Sequence, residues 1–182
     1  MELTTCIIGG AGFIGRAVVE ELIKRGDRHL LVVGRETQAL GLPAGVRYVQ
    51  HPPDASAEQL TQTLSGVDEV IDLAYATVPQ TSFQNPVNDI LVNLPEAVRL
   101  FELAARQPLR KFVWISSGGT VYGPAQTMPL AETHPTNPIS PYGITKLAIE
   151  KYARMYYHLS QLPIVCVRPA NAFGEGQRVY AG

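Results

Sequence analysis

Two groups of residues in this sequence have the types and the spacing to do chemistry. One is Tyr142-Gly143-Ile144-Thr145-Lys146. Positions i and i+4 share a helix face, so the spacing sets an ammonium near a phenol and favours the ionised form of that phenol. An unperturbed tyrosine, with a pKa near 10, is a poor base at neutral pH; the neighbouring cation supplies the tuning that lets Tyr142 act as an acid–base. The other group is Gly9-Gly10-Ala11-Gly12-Phe13-Ile14-Gly15. It satisfies a G-x-G-x-x-G spacing through Gly10, Gly12 and Gly15, or a G-x-x-G-x-x-G spacing through Gly9, Gly12 and Gly15. Phosphate approaches a backbone closely only where side chains are absent, and a helix that starts there presents unpaired N–H groups and the positive end of its dipole. A dinucleotide pyrophosphate is the expected ligand.

The elements that must position these groups follow from hydrophobic patterning. Short apolar, β-rich runs at Thr4–Ile8, Leu30–Val33, Val46–Val49, Glu69–Leu73, Phe112–Ser116 and Ile164–Val167 read as strands, and helical patterns lie between most of them. That alternation implies parallel strands with right-handed crossovers, and strands so continuously apolar imply a sheet covered on both faces. The expected fold is α/β: a doubly wound parallel sheet in three α/β/α layers, the Rossmann fold, occupying residues 1–182 as one NAD(P)-binding domain. In the first helix Phe13, Ile14, Ala17, Val18, Leu22 and Ile23 recur at helical spacing, and Gly26 stops it. Segments rich in Pro and Gly at Gly41–Gly45, His51–Asp54, Tyr122–Pro141 and Phe173–Gly182 read as irregular.

The end of the second strand bears on which dinucleotide is bound. NAD sites usually place an acidic residue there to accept the ribose hydroxyls. Here the strand ends Val32-Val33-Gly34-Arg35, and Arg35 suits a ribose 2′-phosphate that a carboxylate would repel. NADP is favoured, with NAD possible.

Composition excludes other classes. The chain of 182 residues is 46% hydrophobic and 17% charged with a net charge of −1, so nothing in bulk electrostatics calls for nucleic acid or an anionic membrane. The apolar runs stop far short of the roughly 18 residues of a membrane span, and no signal-peptide pattern opens the chain. Cys6 and Cys166 sit in apolar runs and read as two buried thiols in a reducing, cytoplasmic compartment. No metal site is expected.

Taken in order, Gly9 to Gly15, Asp72-Leu73-Ala74, Asn93, Ser116-Ser117, Thr120-Val121-Tyr122-Gly123, the Tyr142/Lys146 pair and Arg168-Pro169-Ala170-Asn171 resemble the extended short-chain dehydrogenases/reductases. The likeness runs over essentially the whole chain and is strongest to the NAD(P)-dependent epimerase/dehydratase branch, which acts on nucleotide-sugars. The resemblance implies that Tyr142 is the base, that Lys146 holds the nicotinamide ribose and lowers the Tyr142 pKa, and that a hydroxyl of the Ser116–Thr120 segment polarises the reacting oxygen. It also implies cofactor contacts from Gly9, Gly12, Phe13, Ile14, Gly15, Leu73, Ala74, Tyr75, Asn93, Ser116 and Pro169, with Asn171 near the substrate diphosphate. Asp54 stands where the family's adenine contact is expected, without the usual Gly-Asp dipeptide.

Departures narrow what is implied. Counting back from Tyr122-Gly123, the family's catalytic Ser or Thr position holds Gly118, which leaves Ser117 or Thr120 as the third catalytic group. Dehydratases place an Asp-Glu pair where Gly119-Thr120 stands, so dehydration is disfavoured. Members of the family continue past the Arg-Pro-x-Asn segment into a smaller C-terminal domain that encloses the sugar nucleotide, and this chain ends at Gly182, so that domain is expected to be absent. The favoured reading is the cofactor-binding and Tyr/Lys part of a nucleotide-sugar epimerase. The alternatives are an NADPH-dependent reductase of a keto-sugar or other carbonyl, and a catalytically silent NADP-binding regulatory protein. The family also pairs two long helices with their symmetry mates. Ile90, Leu91, Leu94, Val98, Phe101 and Ala105 in one, and Leu147, Tyr152, Met155, Tyr156 and Leu159 in the other, are the expected homodimer face.

Overall fold

The computed structural model describes residues 2–38, 41–51 and 55–177. Six strands, β1 (Leu3–Ile8), β2 (Arg28–Gly34), β3 (Arg47–Gln50), β4 (Glu69–Asp72), β5 (Lys111–Ile115) and β6 (Ile164–Val167), form one sheet in the order β3-β2-β1-β4-β5-β6. Every pairing is parallel, and each strand lies within two residues of its expected run. The helices are α1 (Phe13–Arg25), α2 (Ala57–Leu64), α3 (Pro79–Gln84), α4 (Pro86–Ala104) and α5 (Pro141–Ser160). This is the expected doubly wound α/β fold.

Local chemistry sets the element ends. Gly26 closes α1 in the left-handed region (φ 66°), its N–H bonding the Leu22 carbonyl, a conformation that costs a glycine nothing. Ser56 and Gln59 form a capping box on α2. Ser140 caps α5 by accepting from the Gly143 N–H, and Pro141, with no N–H to satisfy, takes the first helical position.

Side chains alternate across the sheet, so Cys6 and Ile7 face opposite ways. On the first face Cys6, Leu31, Val70, Phe112 and Trp114 meet Leu64 of α2, Phe101 of α4 and Ile149 of α5. Phe101 is fully buried, edge-on to Phe112, Trp114 and Tyr156 at centroid distances of 5.5, 6.4 and 6.2 Å. On the second face Ile7, Leu30 and Val32 pack on Val19 and Leu22 of α1.

Three expectations are corrected here. The sheet is not covered throughout: Val165 and Val167 of β6 are 44% and 41% exposed, because no described helix reaches that end of the second face. Cys6, on central strand β1, is buried but Cys166, on edge strand β6, is only half-buried; burial nonetheless pushes both thiols up to about 12. The expected dimer face also divides: Phe101, Leu94, Ala105 and Tyr156 pack into the core, whereas Ile90 and Leu91 of α4 and Tyr152, Met155 and Leu159 of α5 stay exposed, as do Val87 and Ile144, which lay outside the expected face.

Candidate functional site

The chain runs outward from β1 to β3 and then returns past β1 to β4, which opens a crevice at the carboxyl ends of the strands. The glycine run lies on one side of it. Gly9 adopts φ 79°, and a Cβ there would stand 3.1 Å from the Ala74 nitrogen, so the loops after β1 and β4 touch. At Gly15 a Cβ would lie 2.4 Å from the Gly9 carbonyl oxygen and 2.5 Å from Gly10 Cα, so α1 can begin this close to the loop only with glycine at 15. No side chain caps α1 at Gly12, which leaves the first-turn N–H groups of Phe13, Ile14 and Gly15 without intrahelical acceptors. A bare cradle at the positive end of a helix dipole fits a dinucleotide pyrophosphate.

The loop after β4 forms the other wall. Asp72 is buried and accepts from the Ala74 N–H at 3.0 Å; burial pushes its carboxyl up to about 6. Asn93 of α4 is buried as well. Its carboxamide accepts from the Ala76 N–H at 2.8 Å and donates to Thr77 Oγ1 and the Asp89 carbonyl, so in this structure it holds the 74–77 loop in place. Beside it lies a group that the sequence reading missed. Asp89 is fully buried and accepts from the hydroxyls of Thr77 and Thr145, the latter at 2.6 Å. The i, i+4 spacing of Asp89 and Asn93 was its only sequence signal.

The loop after β5 and the start of α5 bring in the reacting side chains. Tyr142 and Lys146 share a face of α5 as expected, but the ammonium does not reach the phenol. Lys146 is buried, donates to the Ile115 carbonyl at 2.8 Å and lies 3.8 Å from the ring centroid of Tyr75, against 5.7 Å from that of Tyr142. Burial brings the Lys146 ammonium down to about 8, with Asp72, Asp89 and Glu150 supporting its charge. The Tyr142 phenol is pushed up to about 12 by burial and by the Asp89 carboxylate. In this arrangement the expected lowering of the Tyr142 pKa by Lys146 is therefore absent: i, i+4 spacing fixes the Cβ atoms, while a buried ammonium goes to the carbonyl that can accept from it.

Among the hydroxyls of this loop, that of Ser116 donates to Glu150 at 2.5 Å, so it is engaged within the chain. Thr120 Oγ1 is buried with no partner among the described residues. Ser117 is half-buried, and its carbonyl accepts the Thr120 and Val121 N–H groups. Gly118 lies under β6: a Cβ there would come 2.7 Å from the Arg168 carbonyl oxygen. The segment after β6 follows the same edge, where the Gly118 N–H donates to the Pro169 carbonyl at 2.8 Å, and Asn171 lies over Gly119.

Toward β2 the crevice meets Gly34, where a Cβ would stand 2.8 Å from the Tyr48 hydroxyl. Tyr48, which donates to the Glu36 carbonyl, fills the space that a side chain at 34 would use. Arg35 is exposed at the rim. Asp54 lies outside the described residues. Among the described residues no group of His, Cys, Asp and Glu is arranged to hold a metal, and no helix is long and apolar enough to cross a membrane.

Comparison with known proteins agrees with this geometry. Residues 5–181 match the NAD dependent epimerase/dehydratase family. Among relatives, the UDP-glucose 4-epimerase of Mycolicibacterium smegmatis is 33% identical over 184 residues, covering 96% of this chain and 58% of its own. The dTDP-4-dehydro-6-deoxyglucose reductase of Escherichia coli is 31% identical over 181 residues, covering 95% and 57%. The crystal structure of the Thermus thermophilus UDP-glucose 4-epimerase in complex with NAD superposes with a TM-score of 0.82 at 29% identity, over 91% of this chain and 54% of that one. The chain thus spans about half the length of the curated relatives it matches.

Proposed function

We propose, since the chain belongs to the NAD dependent epimerase/dehydratase family, that residues 1–182 are the cofactor-binding and proton-transfer part of a nucleotide-sugar epimerase. The observation that carries this reading is the convergence, at the carboxyl ends of the strands, of the bare glycine cradle with Tyr142 and Lys146. Gly9, Gly12, Phe13, Ile14 and Gly15 would hold the pyrophosphate, and Leu73, Ala74 and Tyr75 would line the opposite wall. Arg35 would pair with a 2′-phosphate, which makes NADP the favoured cofactor. Lys146 would hold the nicotinamide ribose, while Pro169 and Asn171 would approach the bound substrate.

Bound NAD(P) supplies the hydride acceptor and donor. Tyr142 exchanges the proton of the sugar hydroxyl. At neutral pH its raised pKa leaves the phenol protonated, ready to give a proton to a ketone; to take one, it needs the Lys146 ammonium closer. Thr120 is the hydroxyl we assign to the reacting oxygen, because in the Ser116–Thr120 segment it is the one buried and unpaired among the described residues.

A second reading, an NADPH-dependent reductase of a keto-sugar, is favoured by the protonated Tyr142 and by the likeness to the Escherichia coli reductase. Because the relatives are about twice as long, the sugar pocket is assigned largely to the half that they carry beyond the matched region. The exposed stripe of α4 and α5 is assigned to a second copy of the chain. Free thiols at Cys6 and Cys166 favour a reducing, cytoplasmic setting.

The test uses a UDP-hexose and NADP(H), with the chain joined to the half to which the sugar pocket is assigned. An epimerase interconverts the sugars without net loss of NADPH, and a reductase consumes NADPH in proportion to product. Tyr142→Phe should abolish either turnover while cofactor affinity stays within about twofold, and Thr120→Val should cost about 10²-fold in rate. Wild-type turnover by Tyr142→Phe would refute the assignment.

A further inference from the structure

A second phenol stands inside the proposed site, and neither the glycine cradle nor the proton transfer accounts for it. Tyr75 follows Ala74 at the end of the β4 loop. Its ring meets that of Tyr142 edge-on, with centroids 4.9 Å apart at 70°. The Lys146 ammonium sits over the Tyr75 ring at 3.8 Å, closer than over Trp114 at 4.7 Å or Tyr142 at 5.7 Å. The Tyr75 hydroxyl is buried with no hydrogen bond of normal geometry among the described residues; its neighbour is the Thr145 hydroxyl, which gives its proton to Asp89 and keeps a lone pair toward the phenol. The part of this side chain that meets both members of the reacting pair is its ring.

We propose that Tyr75 is a positioning residue: its ring face holds the Lys146 ammonium at the Ile115 carbonyl and so sets the distance between that cation and the Tyr142 phenol. An ammonium shielded from water loses hydration, and an aromatic face returns part of that loss through its quadrupole. The Ile115 carbonyl accepts one of the three ammonium protons. The ring covers another side of the cation, and Asp72 of β4, Asp89 of α4 and Glu150 of α5 support its charge from a distance. Without the ring, the site would lose the one group that holds the ammonium on the Ile115 side and contacts Tyr142 as well.

The inference rests on the reading of Tyr142 and Lys146 as the reacting pair, and the experiment separates the two. The chain is produced with [ε-13C]lysine, and the Lys146 signal is identified by its loss in Lys146→Met; the other lysines, Lys24, Lys111 and Lys151, are exposed. In the native chain the Lys146 methylene signal should be displaced upfield by the Tyr75 ring and should titrate with a midpoint of about 8. Tyr75→Phe retains the ring and should keep both features. Tyr75→Leu should abolish the displacement and lower the midpoint by about one pH unit, the size of a desolvated ammonium–ring contact. A filler role would leave the titration unmoved, so an unchanged midpoint and displacement in Tyr75→Leu overturn the proposal. Should Tyr75→Leu fail to fold, absence of the upfield displacement in the native chain overturns it equally. Calorimetry of NADP(H) binding to Lys146→Met tests the underlying reading alone: unchanged affinity removes Lys146 from the cofactor site without touching the ring contact.

Discussion

Replacing Asp72 by Asn should change stability in a way that depends on pH, because this carboxylate is held in the core at the mouth of the site. Burial raises its pKa from 3.8 to about 6, against the opposing pull of the Ala74 N–H and the Lys146 charge. Between those two values the folded chain binds more protons than the unfolded one, so stability falls as pH rises through that window and the full penalty is present at pH 7. A rise of about two units corresponds to about 3 kcal/mol. The Asn variant keeps an acceptor for the Ala74 N–H and removes the charge. It also withdraws support from the Lys146 ammonium, which returns part of the gain, so about 1–2 kcal/mol is expected. Any packing cost of the amide is the same at all pH values, so it cancels when two pH values are compared. Urea unfolding followed by circular dichroism should show Asp72→Asn gaining about 1–2 kcal/mol relative to the native chain between pH 4 and pH 7. A difference that stays flat, or that moves against the variant, would refute the account of Asp72 as a penalised buried charge.

Two further outcomes follow from the site and from the exposed helices. Arg35→Ala should weaken NADP binding by about 10- to 100-fold, the worth of a charge-assisted contact, and leave NAD binding unchanged by calorimetry; equal losses for both, or none, would make Arg35 a surface residue. Light scattering should give twice the 19.8 kDa chain mass, and Leu91→Glu, at a position 64% exposed, should return the monomer; a monomer from the native chain would reject the helical interface.

Much of this was legible in the sequence because it depends on local order. Each of the six strands is built around a short apolar, β-rich run, Gly26 ends α1 where the helical pattern stops, and Gly15 stands where no Cβ fits. Contacts between distant residues were not legible. Asp89 and Thr145 are joined across 56 positions, and nothing near either one indicates that a carboxylate will be buried there. Phe101 was expected on a dimer face because helical periodicity counts apolar positions without saying which neighbour covers them; α4 packs on both the sheet and α5, and Phe101 falls on the side they share. Lys146 shows the same limit at the scale of one side chain. The spacing placed its Cβ beside Tyr142, but the flexible stem let the ammonium choose the Ile115 carbonyl and the Tyr75 ring.

The glycine at position 118 has a structural cause in how α5 is held to the sheet. Glu150, one turn beyond Lys146 on α5, accepts two hydrogen bonds from Arg168 at 2.8 and 2.5 Å and one from Ser116 at 2.5 Å. Arg168 also donates to the Tyr122 hydroxyl at 2.9 Å. This cluster ties the end of β5, the end of β6 and the Val121–Tyr122 turn to the helix that carries Tyr142. A guanidinium paired bidentately with a buried carboxylate has little freedom, and the backbone of Arg168 is held with it. Its carbonyl then lies where the side chain of residue 118 would stand, so glycine is the residue that fits. Thr120 lies two residues further along the same turn, beyond that carbonyl, and its hydroxyl remains buried and unpaired beside α5: the Gly143 position, one residue from Tyr142, would bring a Cβ to 2.9 Å of the Thr120 carbonyl oxygen. The ion pair that fixes Tyr142 relative to the sheet thus also excludes a side chain at 118, and among the described residues it leaves Thr120 as the hydroxyl of this loop that is buried and unpaired, which is why Thr120 is the one proposed for the substrate oxygen.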